Sequence, residues 1–263
     1  MTEGQWAELR QVGFASLDHA AAVQTATDLL ALGPGFGDPL LAAMGLADFT
    51  APVGPDTYVE VLAPTTPDHS VARWLRRAGG ASGWVLSTQV PSLDGVRERA
   101  EAHGVRVAVD TEAMGRRIVQ LHPLDVGVLL ELDEFVPRGA WFWDELPGAR
   151  AAHAARTTKA DDITAVDVAV DAASDQAAPL AMARTWAAII GIDPPSSLSP
   201  PSPPRPPAAT ADSAALAFGH RTIRFVPARD GRTGIVAVDV HATDRDHVAG
   251  SSGTLCNTHI RFV

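Results

Sequence analysis

The sequence predicts an α+β protein of two tandem domains, each built from βαβββ modules. Three observations carry this expectation. Between Gly83 and Leu132 the order is strand, helix, strand, strand, strand, and the same order, less complete, runs from Gln11 to Ala63. After a stretch poor in large apolar side chains, 146–162, a strand-then-helix pattern begins again at Ile163. Two late segments, FGHRTIRFV (218–226) and LCNTHIRFV (255–263), are alike, which is what an internally duplicated module leaves behind. A chain of 263 residues also exceeds the roughly 100–200 typical of one domain. Residues 1–146 and 160–263 are therefore expected as two domains joined by a linker at 147–159.

The elements follow from local pattern. QVGFASL (11–17) reads as a strand, with Asp18 at the N-cap of an Ala-rich helix that Gly33-Pro34-Gly35 ends. TYVEVLA (57–63) lies between Gly54-Pro55 and Pro64, and its alternation puts Tyr58, Glu60 and Leu62 on one face. SVARWLRRA (70–78) suits a short amphipathic helix, and a strand follows at 84–90. A helix over 92–103 closes at Gly104, and strands follow at 105–109, 117–121 and 128–132. In the second half, ITAVDVAV (163–170) is a strand and 178–191 an amphipathic helix with Trp186, Ile189 and Ile190 toward the core. Eight of the fourteen residues 194–207 are proline, so that stretch is expected as an extended loop. Strand patterns close the chain at 214–219, 221–226, 234–241 and 255–263.

Composition bounds the function. The chain is 46% apolar and 20% charged, an ordinary globular balance without a run of 18 apolar residues that could cross a bilayer. The start, MTEGQWAELRQVGF, lacks the charged-then-apolar pattern of a secretory signal, so the expected location is the cytoplasm. A single cysteine, Cys256, excludes an internal disulfide framework and any multi-cysteine metal site, and reads as a small apolar strand residue. A net charge of −10 with scattered arginines disfavours a nucleic-acid partner. The histidines contain no H-E-x-x-H pattern, and neither G-x-S-x-G nor a glycine-rich loop followed by Lys-Ser/Thr occurs.

A repeated strand–helix–strand–strand–strand unit with strand sentences such as TYVEVLAP and VGVLLELDE resembles the vicinal-oxygen-chelate superfamily, which includes glyoxalases, bleomycin-resistance proteins and extradiol dioxygenases. The resemblance implies paired modules whose curved, largely antiparallel sheets form a bowl, with up to four strand residues holding a divalent metal. It implies Gln11, Glu60 and Glu131 as metal ligands, while Val85 or Trp84 falls where the family usually has His. In the second half the corresponding positions fall on Ala165, Arg224 and Ile235 or Val236, which are not a ligand set. That half is expected to be structural.

The candidate catalytic residues are therefore Glu60, Glu131 and His122. The two glutamates share strand faces with apolar neighbours, where a carboxylate needs a cation, donors or a raised pKa. His122, ahead of Pro123 in a turn, either caps the following element or serves as an acid or base. Gln89, Ser87, Trp84 and Tyr58 are the candidate ligand-binding residues; Gln89 could equally be a satisfied structural amide. Trp141 and Trp143 either line a pocket or cover an edge after the closing strand. The implied functions are lyase or isomerase chemistry on a small oxygenated molecule, metal-assisted or not, or metal-free binding of a small ligand, by a monomer or homodimer.

Overall fold

The computed structural model describes residues 4–113, 115–155, 159–172, 175, 177–195, 213–243 and 249–263. The first half contributes β1 (Glu8–Ser16), α1 (His19–Leu30), α2 (Pro39–Ala43), β2 (Leu46–Pro52), β3 (Tyr58–Pro64), α3 (Ser70–Arg77), β4 (Ala81–Val90), α4 (Val96–Ala102), β5 (Val107–Ala113), β6 (Arg116–Leu121), α5 (Pro123–Val126) and β7 (Leu129–Glu134). A 3-10 turn at Phe142–Glu145 and α6 (Pro147–Ala154) follow. The second half contributes β8 (Ala160–Val170), α7 (Ala178–Ile190), β9 (Ala214–Phe218), β10 (Arg221–Pro227), β11 (Gly234–Ala242), β12 (Ser252–Leu255) and β13 (Thr258–Phe262).

Two mixed sheets result, ordered β2-β3-β1-β4-β7-β6-β5 and β12-β13-β11-β8-β10-β9. Each sheet joins two modules of the predicted kind, complete as βαβββ only in β4–α4–β5–β6–β7, while the other three show three strands each among the described residues. In each module the first strand lies beside the last, in parallel, and the last pairs antiparallel with the one before it: β1 with β3 and β3 with β2, β8 with β10 and β10 with β9, β11 with β13 and β13 with β12. The parallel pairs need a long crossover, and α1 and α7 supply it in the modules of β1 and β8. Sheet membership divides the chain between β7 and β8. Compactness divides it differently: one unit comprises residues up to Leu9, Leu86–Gly139 and Ala165–Val236, and the other Arg10–Val85, Ala140–Thr164 and Ala237–Val263.

The core of the first unit centres on Trp186 of α7, fully buried, packed edge-on against Phe225 of β10 at 5.0 Å and donating from its indole nitrogen to the Val126 carbonyl. Ile189 and Ile190 are buried beside it, as the helical period requires. In the second unit, Val12 and Phe14 of β1 and Val59 and Val61 of β3 are buried at alternate positions, and Ala22, Ala26 and Leu30 of α1 are buried as well. Ala15, Leu46 and Leu62 form another cluster with Val71 and Leu75 of α3. Asp18 caps α1 by accepting from the Ala21 amide at 3.0 Å, and the helix stops short of Gly33 because Ala31 turns left-handed (φ 53). Among the described residues no helix is long and apolar enough to cross a membrane.

Several local expectations are corrected. The final strand is a hairpin instead, broken by Cys256 and Asn257, both left-handed (φ 46 and 60), in the manner of a two-residue turn between twisted strands. Cys256 is thus a turn residue, its thiol pushed up to about 11 by burial. Helix α4 starts at Val96, four residues later than its sequence period suggests, because Gly95 before it is left-handed (φ 71). Helix α2 and strand β2 were not legible, and most of 147–159 is helical: its small residues are largely alanine, the best helix former. Of the proline-rich stretch, residues 196–207 lie outside the described residues.

Candidate functional site

In the second unit, the parallel register pairs Gln11 with Tyr58 and Gly13 with Glu60, so strand alternation collects Gln11, Tyr58 and Glu60 on one face of β1 and β3. All three are buried, Glu60 being 4% exposed. Gln11 accepts a hydrogen bond at 3.0 Å from the indole nitrogen of Trp143. The Tyr58 hydroxyl meets the His153 Nε2 at 2.5 Å, and Tyr58, Trp143 and Phe36 stack edge-on with centroids 5.3 to 6.5 Å apart. Gly13 is required here: a Cβ would lie 2.4 Å from Val85 Cγ1 and 3.0 Å from Glu60 Oε2. Trp84 packs edge-on against Trp74 at 4.7 Å and joins the cluster beneath α3. Trp141 and Trp143 are both buried.

In the first unit, Glu131 of β7 stands in register with Gln120 of β6. It is half-buried and held from two sides, by Ser87 Oγ donating to Oε1 at 2.8 Å and Gln120 Nε2 donating to Oε2 at 2.6 Å. Gln89 is fully buried and braces the following loop: its amide nitrogen donates to the carbonyls of Phe135 and Pro137, and its oxygen accepts from the Gly139 amide. All its conventional capacity except one lone pair is spent on backbone. His122 caps α5, its Nδ1 accepting from the Leu124 amide at 3.3 Å. One residue escaped sequence reasoning. Asp133, two residues beyond Glu131, is fully buried, and its carboxyl is raised well above the usual carboxylate range by burial first and by the Glu131 charge second. The ELDE run could have revealed it by alternation.

The second sheet shows what became of the equivalent positions. Arg224 lies opposite Asp167, and Arg261 opposite Asp239, in the same parallel register that sets Glu60 opposite Gly13. Each arginine is ion-paired to its aspartate, and both aspartates are buried. The repeat is therefore deeper than the two endings: AVDV recurs at 165–168 and 237–240, one copy for each arginine.

The module topology and sheet order are those of a glyoxalase-like fold. The chain is similar to a mutant 4-hydroxymandelate synthase from Streptomyces coelicolor over 90% of its own length and 71% of that chain, with a TM-score of 0.62 and 16% identity. It is similar to the Mn(II)-bound glyoxalase from Novosphingobium aromaticivorans over 89% of its length and 65% of that chain, with a TM-score of 0.51 and 18% identity. Methylmalonyl-CoA epimerase from Mycobacterium tuberculosis matches over 50% of this chain and 89% of its own, at 26% identity and a TM-score of 0.42. No protein-family model matches the sequence, and no curated protein matches it. The likenesses at TM-scores of 0.62 and 0.51 fix the fold, and a fold leaves the reaction open.

The chelating positions implied by that fold do not fit a divalent ion. Val85 offers no donor, and the Gln11 carbonyl is already engaged by Trp143 in a buried contact. Among the described residues no three His, Cys, Asp or Glu side chains converge as a ligand cluster.

Proposed function

We propose that the chain is a glyoxalase-like enzyme that moves a proton on a small oxygenated metabolite, in isomerase, epimerase or lyase chemistry, with Glu131 as the principal acid–base group. The observation that carries this reading is the contrast among equivalent strand positions. Arg224 and Arg261 are closed by buried aspartates, whereas Glu131 is half-buried and oriented by the neutral Ser87 and Gln120. An ionised Glu131 takes the proton from a carbon beside a carbonyl, leaving an enolate and a protonated Glu131. Return of that proton to the other face inverts the centre, and return to the neighbouring carbon isomerises it. Loss of a leaving group from the adjacent carbon is elimination. Glu60 and His122 are the further candidates, His122 acting through Nε2 while Nδ1 caps α5.

A second reading, a metal-free binding protein for a small ligand, is favoured by one observation: Gln11 and Tyr58 are already engaged by Trp143 and His153. Deuterium wash-in distinguishes the two. Thioesters, α-hydroxy ketones and 2-oxo acids are incubated with the protein in D2O, and exchange beside the carbonyl is followed by NMR. The enzyme reading expects exchange by wild type for at least one class and none by Glu131→Gln. Equal exchange by both proteins removes Glu131 from the chemistry, and no exchange of any class by wild type leaves the binding reading.

A further inference from the structure

Arg116 opens β6 where the hairpin from β5 ends. Alternation places Arg116, Ile118 and Gln120 on one face of β6, the face on which Gln120 donates to Glu131. The Arg116 guanidinium carbon lies 5.0 Å from the centre of the Phe135 ring. Phe135 is itself fixed: it is buried, its amide donates to the Val90 carbonyl at 3.0 Å, and its carbonyl accepts from the Gln89 amide nitrogen at 3.2 Å. On β5 the residue opposite Arg116 is Ala113. Among the described residues no acid is paired with Arg116, whose hydrogen bond to the Gly115 carbonyl is long, at 3.4 Å. The arginines around it are committed: Arg117 to Asp94 and Glu134, Arg138 and Arg221 to Glu8, and Arg224 to Asp167.

A guanidinium over an aromatic ring is held by the ring's electron-rich face, and its planar fork of N–H donors matches the two oxygens of a carboxylate. One positive charge balances a carboxylate; a phosphate monoester carries about −1.5 to −2 and asks for more cations than this place offers. Four residues separate Arg116 from Gln120, roughly 13 Å at the rise of a strand, with half-buried Ile118 between them. A short 2-oxo acid falls short of that span, and a long-chain oxo acid does not. We propose that Arg116 is a carboxylate-binding residue that sets the substrate class: it grips the carboxylate of an oxo acid whose carbonyl lies several bonds away, at Glu131. The placing of the carbonyl rests on the proton-transfer reading of Glu131, and the carboxylate grip does not.

The test titrates wild type, Arg116→Met and Arg117→Met with 10-oxoundecanoate, its methyl ester and pyruvate, with binding read by saturation-transfer NMR. Wild type is expected to bind the long acid about 10- to 100-fold more tightly than the ester, the worth of hydrogen bonds to a charged group, and more tightly than pyruvate. Arg116→Met, still able to lie on Phe135, is expected to lose the preference for acid over ester. Arg117→Met, on the opposite face of the strand, is expected to keep it. The proposal is overturned if wild type binds the acid no more tightly than the ester or binds neither, if Arg116→Met retains the preference, or if Arg117→Met loses it as well. Should Arg116→Met not fold, Arg116→Lys, which keeps the charge without the planar fork, is expected to show a smaller preference; an unchanged one overturns the grip. Deuterium wash-in on the same samples separates the two ideas: acid preference without exchange supports the grip and sinks the proton transfer, and exchange without acid preference does the reverse.

Discussion

Replacing Arg224 by Met removes the cation beside Asp167, whose side chain is 4% exposed, while that of Arg224 is 20% exposed. Breaking a buried pair by deleting one partner strands the other charge, at about 3–5 kcal/mol. The partial exposure of the arginine lets water reach the vacated side, which puts the expected cost near the lower end of that range. Asp167→Leu alone strands the arginine instead, and its freedom to reach water makes the cost smaller. The double variant Asp167→Leu/Arg224→Met removes both charges and fills the space with apolar atoms, and should fall within about 1 kcal/mol of wild type. Urea unfolding followed by Trp fluorescence measures all three, and the non-additivity is the signature of a closed structural pair. Two single variants within about 0.5 kcal/mol of wild type, with costs that simply add, would refute the reasoning and reopen the second sheet as a place where charge is kept for a ligand.

Three further outcomes follow from particular contacts. Asp48 is held up to about 6 from 3.8, mainly by burial and despite the Asp38 amide that donates to it; because the folded value is the higher one, ionisation opposes folding, so stability should fall as pH rises from about 4 to 6 and level off above. Asp48→Asn should flatten that fall and be the more stable protein at neutral pH, as thermal unfolding across pH would register. Trp143→Phe removes the donor to the buried Gln11 oxygen and should cost about 1–3 kcal/mol, with Gln11→Leu in the same background recovering part of it in denaturant titrations. Gly13→Ala drives a Cβ into Val85 and should cost about 1–3 kcal/mol; Val85→Ala added to it should restore stability, and a neutral Gly13→Ala would show that the strands are not packed this closely.

The fold was readable because each module spells its order in short apolar runs and turn residues, and Asp18 and Gly191 mark their helix ends as capping chemistry requires. The hairpin at Cys256-Asn257 was not, since the run LCNTHIRFV alternates well enough to pass for one strand and only the positive φ angles show the break. LADFTAP was missed as a strand because proline and aspartate dilute its apolar character; pairing along the whole of β3 compensates. At the site, sequence could place Glu60 and Glu131 on their strands by alternation, but a hydrogen bond such as Gln11 to Trp143, 132 residues apart, depends on tertiary packing. Asp133 was legible in principle, being two residues from Glu131, and was passed over because the resemblance directs attention to Glu131 alone. The arginine–aspartate pairs were half legible: the endings were visibly alike, yet only the register shows that each arginine meets an aspartate of a repeated AVDV.

The assignment of the working position to Glu131, with Arg224 and its aspartate as structure only, can be put to a direct trial by native mass spectrometry of purified wild type, Glu131→Gln and the Asp167→Leu/Arg224→Met double variant after exposure to whichever compound shows deuterium wash-in. Wild type and the double variant should both retain that compound and both exchange its proton, while Glu131→Gln remains folded and exchanges nothing. A double variant that folds yet loses the compound, beside a Glu131→Gln protein that binds and exchanges as wild type does, would place the site in the other sheet and contradict the assignment.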